Sequence, residues 1–257
     1  MADLPKHLFV CQRVHLPHLS GLNFVHRDVA DSDTFCIFDV SSEADAIQHA
    51  VPQIVGLKLH RYLDRFYLWV PENDDDQRQD LIDQLFQLIG DDYESLIDTT
   101  RNIENIRNLL LLVASQVGLS KGSTVVDYGS GTGLALKPAA ELGLKLVGIE
   151  RSFVMARKVT TAGMTVWSPG DLARQPKDSL PSAFASYVLH LLPHTNGLRL
   201  LWTRLRPGSV LVANFHKGEG IQLINDCLGR ERSTILQLQS PDGSSHHGPY
   251  MAYVKEA

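Results

Sequence analysis

Val125-Val126-Asp127-Tyr128-Gly129-Ser130-Gly131-Thr132-Gly133 is the stretch whose reading decides the fold. Two β-branched residues lead to an acid and then to three glycines at alternate places. The pattern reads as a buried strand that runs into a glycine turn and opens a helix. Glycine tolerates backbone angles closed to other residues and lets a ligand come close to the main chain. A helix behind such a turn directs its free N–H groups toward the strand ends, where open α/β sheets bind ligands.

Outward from this stretch, strands and helices alternate to the carboxy terminus. Strands are expected over Thr124–Tyr128, Lys145–Glu150, Thr165–Ser168, Ala183–His190 and Ser209–Phe215. Helices fit between them over Leu134–Leu142, Ser152–Thr161 and Thr195–Arg204, with another around Gly220–Leu228. Two last strands follow, Ser233–Leu238 and Tyr250–Lys255, with Gly243 turning the chain between them. Such alternation demands a mostly parallel sheet covered on both faces. Pro138 falls inside the first expected helix, which must therefore start late or kink.

Upstream, Leu81, Ile82, Leu85, Phe86, Leu88 and Ile89 recur at helical spacing, with Gly90 behind them. A second helix follows the capping side chains of Asp98-Thr99-Thr100 and carries Ile103, Ile106, Leu110, Val113 and Val117 on one stripe, up to Gly118. Pro71-Glu72-Asn73-Asp74-Asp75-Asp76 is a run no core absorbs, and it divides the chain into regions 1–76 and 77–257. The first is smaller and α+β, with β-leaning runs at 35–40 and 65–70. It reads either as a cap that selects a substrate or as an oligomerisation or packing module, so a homo-oligomer stays open.

The chain has 257 residues, 44% hydrophobic and 21% charged, enough to bury a large core without staples. Cys11, Cys36 and Cys227 are far apart and odd in number, which gives no disulfide framework and points to a reducing compartment. The amino terminus lacks a basic-then-apolar leader, and no apolar run approaches the roughly 20 residues of a membrane span. A cytoplasmic protein with no membrane partner is the expectation. A net charge of −5 argues against nucleic acid as a partner, since phosphate backbones demand dense Lys and Arg. His15, His18, His26 and His246-His247 form no ligand pattern, so no metal is expected.

Spacing narrows the ligand. A dinucleotide fingerprint needs G-x-G-x-x-G, but here the third glycine comes one residue early and Leu134 stands at the last place. Asp127, two residues before the first glycine, sits badly beside a pyrophosphate and well beside an ammonium or sulfonium. A cationic adenosine cofactor, S-adenosylmethionine, is favoured over a nicotinamide dinucleotide.

With these residues in place, the chain from about Tyr93 onward resembles the class I S-adenosylmethionine-dependent methyltransferase superfamily. Its first motif is matched through Gly133. Its second is an acid ending the next strand, supplied by Glu150 of Leu146-Val147-Gly148-Ile149-Glu150; its third is Gly170-Asp171-Leu172. Ala185–Pro193 resembles the fourth strand and its loop, and Leu205–Val212 the turn into the fifth. The resemblance implies a Rossmann-like, doubly wound seven-stranded sheet with an antiparallel last strand. It also implies S-adenosylmethionine bound by Asp127, Gly129, Ser130, Gly131, Gly133, Glu150, Arg151, Asp171, Leu172, Tyr187 and Tyr93. Glu150 would accept hydrogen bonds from the ribose hydroxyls, and Asp171 with the Leu172 amide would meet adenine.

Several of these residues carry a second reading. Gly-Asp is also a cap signal, Tyr93 fits core packing, and the Arg101–Arg107 stretch either holds the cofactor's carboxylate or faces water. His190, after strand four, is the one candidate catalytic residue, as a base or as a wall of the acceptor pocket. The place of the amino-methylating [DNS]-P-P-[YFW] motif reads Tyr187-Val188-Leu189-His190. With the acidic balance, that favours a small-molecule acceptor methylated on oxygen or nitrogen over a protein or RNA. The same residues also suit a cofactor-binding protein or a non-methylating enzyme, since they specify the donor alone.

Overall fold

The computed structural model describes residues 6–256 apart from 27, 32, 73, 191–194, 219 and 232, and only the backbone of 26, 28–31, 75 and 217. Leu191-Leu192-Pro193, the end of the loop after the fourth strand, and the His26 side chain lie outside the described residues. The chain divides into two compact units, Met1–Ile89 and Gly90–Ala257.

The first unit is built on strands β1 (Leu8–Gln12), β2 (Asp28–Asp31) and β3 (Phe35–Asp39), the short helix α1 (Ile47–Ala50), strands β4 (Leu57–Tyr62) and β5 (Phe66–Pro71), and helix α2 (Asp75–Ile89). The sheet order is β2-β3-β1-β5-β4, with β1 and β5 parallel and the other pairs antiparallel. Side chains alternate along a strand, so Phe9, Cys11, Phe38, Tyr67 and Trp69 share one buried cluster with Leu19, Phe24 and Ile47. Helix α2 packs on β5 and β1, burying Leu81, Ile82, Leu85 and Ile89. The carboxylate run thus opens a helix of the first unit, and the compact units divide after Ile89.

The second unit opens with α3 (Tyr93–Leu96) and α4 (Thr99–Val117). The Asp98 side chain accepts the Arg101 N–H, and Gly118 ends the helix in the left-handed conformation at φ 63°. Then come β6 (Thr124–Tyr128), α5 (Leu136–Glu141), β7 (Lys145–Ile149), α6 (Phe153–Thr161), β8 (Thr165–Trp167), α7 (Pro169–Arg174) and β9 (Ala183–Ala185). The chain ends with α8 (Thr195–Arg204), β10 (Val210–Asn214), α9 (Ile221–Gly229), β11 (Ser233–Leu238) and β12 (Tyr250–Lys255). The sheet order is β11-β12-β10-β9-β6-β7-β8, and β12 runs antiparallel to both of its neighbours. This is the doubly wound, seven-stranded sheet the alternation demands, with the last strand reversed.

Consecutive residues of one strand feed opposite cores. Val125 packs with Leu109, Leu110 and Val113 of α4, whereas Val126 joins Leu198, Leu201 and Trp202 of α8. Two expected elements are shorter by three residues or more. Helix α5 starts at Leu136, not Leu134, which puts Pro138 in its first turn, where N–H groups have no intrahelical partner to lose. Strand β9 ends at Ala185, not His190, because Tyr187 takes a left-handed φ of 56° and breaks the extended run. Among the described residues no helix is long and apolar enough to cross a membrane.

Candidate functional site

The chemistry-bearing residues collect at the carboxyl ends of the parallel strands. Gly129, Gly131 and Gly133 all have positive φ, at 78°, 55° and 89°. At Gly129 glycine is required twice over, since a Cβ there would stand 2.4 Å from the Val188 Cγ2. The loop after β9 therefore lies against the glycine loop. A Cβ at Gly131 would meet nothing within 4 Å, so the space in front of the turn is open. Beside it, the Ser130 and Thr132 hydroxyls are buried without a hydrogen-bond partner among the described residues.

Glu150 ties this loop to the next strand end. Its Oε2 accepts the Gly131 N–H at 2.8 Å and its Oε1 accepts the Ser152 N–H at 2.8 Å. Asp127, one residue from the end of β6, is only 3% exposed. Burial, and then the Glu150 charge, push its pKa up to about 8.

Other expected binding residues are engaged locally. The Asp171 Oδ2 accepts the Ser168 N–H and hydroxyl at 3.0 and 2.7 Å, while Ser168 Oγ accepts the Asp171 N–H, a reciprocal capping box on α7. The other Asp171 oxygen pairs with Arg174 at 2.6 Å. The Leu172 N–H donates to the Ser168 carbonyl, and its side chain is core. Arg151 is exposed immediately after Glu150. Tyr93 is half-buried in α3, and Lys158 of α6 anchors the turn before it by donating to the Gly90 and Asp91 carbonyls. Arg107 pairs with Glu141 at 2.6 Å, and Arg101 donates to the His246 carbonyl.

After β9 and β10 lies a cluster that the sequence reading only partly anticipates. The Tyr187 ring stands 6.1, 6.3 and 6.3 Å from those of His190, His216 and His247, and its hydroxyl is 2.7 Å from His247 Nδ1. Burial lowers the pKa of His190 to about 4, with His216 adding to the effect, so its imidazole is neutral. Burial also lowers that of His247 and raises that of Tyr187. Behind the rings, Asn214 Oδ1 accepts the Tyr187 N–H at 2.8 Å and Asn105 Nδ2 at 3.0 Å, and Asn214 Nδ2 donates to the His247 carbonyl at 2.9 Å. Tyr250 closes the network by donating to Asn105 Oδ1.

Asn105, Asn214 and His216 escaped the sequence reading, and His247 entered it only with His246 as a pair outside any metal-ligand pattern. Two had a usable signal: Asn105 interrupts the buried stripe of α4, and Asn214 ends an otherwise apolar strand. His247 has none, because its loop is polar while it is itself 2% exposed. Among the described residues no three His, Cys, Asp or Glu side chains are placed to hold a metal ion.

The sheet order, reversed β12 and glycine loop define the fold of the class I S-adenosylmethionine-dependent methyltransferases. The magnesium protoporphyrin IX methyltransferase of Synechocystis PCC 6803, solved with bound S-adenosylmethionine, is similar at TM-score 0.52 and 18% identity, over 71% of this chain and 98% of that one. An S-adenosylmethionine-dependent methyltransferase of Thermotoga maritima, described as a possible histamine N-methyltransferase, has TM-score 0.49 and 15% identity, over 67% and 99%. No protein-family profile and no curated protein matches the sequence. The likeness is therefore one of fold.

Proposed function

We propose that the protein is an S-adenosylmethionine-dependent methyltransferase acting on a small-molecule acceptor. The observation that carries this reading is the pairing of two carboxyl groups, Asp127 and Glu150, around an open glycine turn with two unpartnered buried hydroxyls. Those features fit the cofactor. Open space at Gly131 admits a ligand against the backbone, the Ser130 and Thr132 hydroxyls lack partners among the described residues, and the Glu150 carboxylate, an acceptor, stands at the end of the neighbouring strand beside the turn.

When bound, the cofactor supplies an electrophilic methyl group on a sulfonium. The chain's own task is to align an acceptor lone pair with that carbon and to exclude water. An acid held against a bound sulfonium would favour the ground state over a transition state with less charge on sulfur, and would slow transfer. Asp127 is accordingly assigned to the cofactor's ammonium end, and Glu150 to the ribose. Asp171 and Leu172 can take part in adenine recognition only by sharing or giving up their bonds to Ser168 and Arg174. His190 is assigned to the acceptor side, as a neutral pocket residue.

The test is thermal-shift and calorimetric titration with S-adenosylhomocysteine and with NAD(P). Stabilisation by the first and none by the second is expected, and the reverse would sink the reading. Formation of S-adenosylhomocysteine from S-adenosylmethionine in the presence of an acceptor then separates transfer from binding alone.

A further inference from the structure

The Tyr187 ring cluster is built, not incidental. Two glycines hold the loops that carry it. A Cβ at Gly220 would stand 2.6 Å from the Leu189 carbonyl oxygen and 3.2 Å from the His190 Cα. One at Gly248 would stand 2.0 Å from the Phe215 carbonyl oxygen and 3.3 Å from the His216 Cα. Each histidine backbone is therefore fixed by a contact that only glycine permits. Tyr187 meanwhile holds a left-handed φ that costs energy, and the Asn214 side chain fastens its N–H. Beside the Tyr187 and His216 rings, 6.1 and 5.9 Å from its own, His190 has its Nδ1 buried with no partner among the described residues.

We infer that Tyr187, His190, His216 and His247 wall a subsite for a neutral nitrogen nucleophile, an amine or N–H heteroaromatic, as the methyl acceptor. The inference rests on the methyltransferase reading and deepens it. An acceptor N–H donates to an imidazole nitrogen such as His190 Nδ1, which turns the nitrogen lone pair away from that bond and toward the methyl carbon. The lone pair forms the new C–N bond while the S–C bond breaks and its electron pair stays on sulfur. Nitrogen gains the positive charge that sulfur loses, and the surplus proton passes to water after release.

Three features favour nitrogen over oxygen. A neutral amine attacks without prior deprotonation, whereas a hydroxyl needs a base. An imidazole with a pKa near 4 accepts a hydrogen bond but holds a transferred proton poorly at neutral pH. The ring faces attract the cationic charge that develops on nitrogen.

The test uses the full chain saturated with S-adenosylhomocysteine and titrated at pH 7.5 with aniline, phenol and benzoate, probes alike in ring and different in head group. Aniline is expected to bind best, and His190→Ala and His216→Ala to weaken it by about tenfold, the scale of one lost neutral hydrogen bond. Unchanged affinity of those variants for S-adenosylhomocysteine shows that they are folded; His190→Gln and His216→Gln serve if the alanine variants are not. With S-adenosylmethionine in place of the product, N-methylaniline is expected by mass spectrometry. Tighter binding of phenol or benzoate, aniline binding indifferent to both histidines, or no aniline binding by the loaded protein would each overturn the subsite alone. Failure to bind S-adenosylhomocysteine would instead overturn the function on which it rests.

Discussion

Glu150 and Gly131 lie nineteen residues apart and meet through one hydrogen bond, the carboxylate accepting the glycine N–H at 2.8 Å. The bond joins the ends of two adjacent parallel strands, β6 and β7, and sets the height of the glycine turn above the sheet. A charged acceptor makes it stronger than a neutral one. The residue expected to hold the ribose therefore also shapes the loop on which the cofactor would rest.

Glu150→Ala removes both the loop anchor and the proposed ribose acceptor. Affinity for S-adenosylhomocysteine is expected to fall by about a hundredfold, the sum of two charge-assisted hydrogen bonds lost. Glu150→Gln keeps one carbonyl oxygen, which can serve Gly131 or Ser152 but not both, and should fall between. Calorimetric titration of the three proteins orders them, and equal affinities would contradict the assignment.

Asp127 gives a pH signature with a definite sign. Its folded pKa of about 8 lies above the unfolded value, so the folded state binds the extra proton. The stability this group contributes is whole below about pH 4 and is lost as pH rises through 8. Asp127→Asn should flatten that decline and raise the melting temperature of the ligand-free protein at pH 8. Binding an ammonium needs the carboxylate, so wild-type affinity for S-adenosylhomocysteine should improve between pH 6 and 8. In Asp127→Asn it should be weaker and indifferent to pH over that range. Melting curves and titrations across the range read both effects.

Gly148 and Ser130 are coupled across the same two strands. A Cβ on Gly148 would stand 2.6 Å from Ser130 Oγ and 2.9 Å from Ser130 Cβ. Gly148→Ala is expected to destabilise the protein by about 1–3 kcal/mol through overcrowding, and Ser130→Gly in the same chain to recover most of the loss. Urea unfolding of the single and double variants measures the coupling; additive effects would mean that the strand, not the serine, absorbs the contact.

How much of this could be read from residues alone follows from the range of the interactions. The glycine loop, α4 with its Asp98 cap, and the strands Thr124–Tyr128, Ser233–Leu238 and Tyr250–Lys255 were legible, because each is declared by neighbours a few residues away. The end of β9 was not legible. Tyr187 departs from an extended course because Asn214 holds its N–H from 27 residues off, and no local propensity reports that bond. Asp171 was legible only as a choice between cap and ligand contact, and its two oxygens are taken by Ser168 and Arg174. The four-ring cluster was least legible, since it draws on three loops brought together by the strand order.

The capping box separates those two readings of Asp171. Ser168→Ala and Asp171→Ala each break one arm of the box and should each cost about 1 kcal/mol of stability. If the Asp171 carboxylate also recognises adenine, only its removal should weaken S-adenosylhomocysteine further. Chemical unfolding compared with calorimetric titration resolves this, and equal affinities in the two variants would leave Asp171 as a cap alone.

Asn214 is the residue on which the ring cluster depends most. It is fully buried, accepts from Tyr187 N–H and Asn105 Nδ2, and donates to the His247 carbonyl. Leucine at this position approximates its volume but strands the Tyr187 N–H and the His247 carbonyl, each at a cost of about 1–3 kcal/mol, and leaves Asn105 Nδ2 with its bond to Ser186 Oγ. Asn214→Leu should therefore destabilise the protein by several kcal/mol on that scale, well beyond a change of packing. Asn214→Asp keeps both acceptor bonds; protonated by burial it can still donate to the His247 carbonyl and loses less stability, whereas ionised at high pH it turns a second acceptor toward that carbonyl and displaces His247. That displacement has its own readout: the Tyr187 hydroxyl would lose its bond to His247 Nδ1, shifting the His247 ring resonances in an NMR spectrum. An Asn214→Asp protein with unshifted His247 resonances at high pH would show that the loop, and not the asparagine, holds the histidine in place.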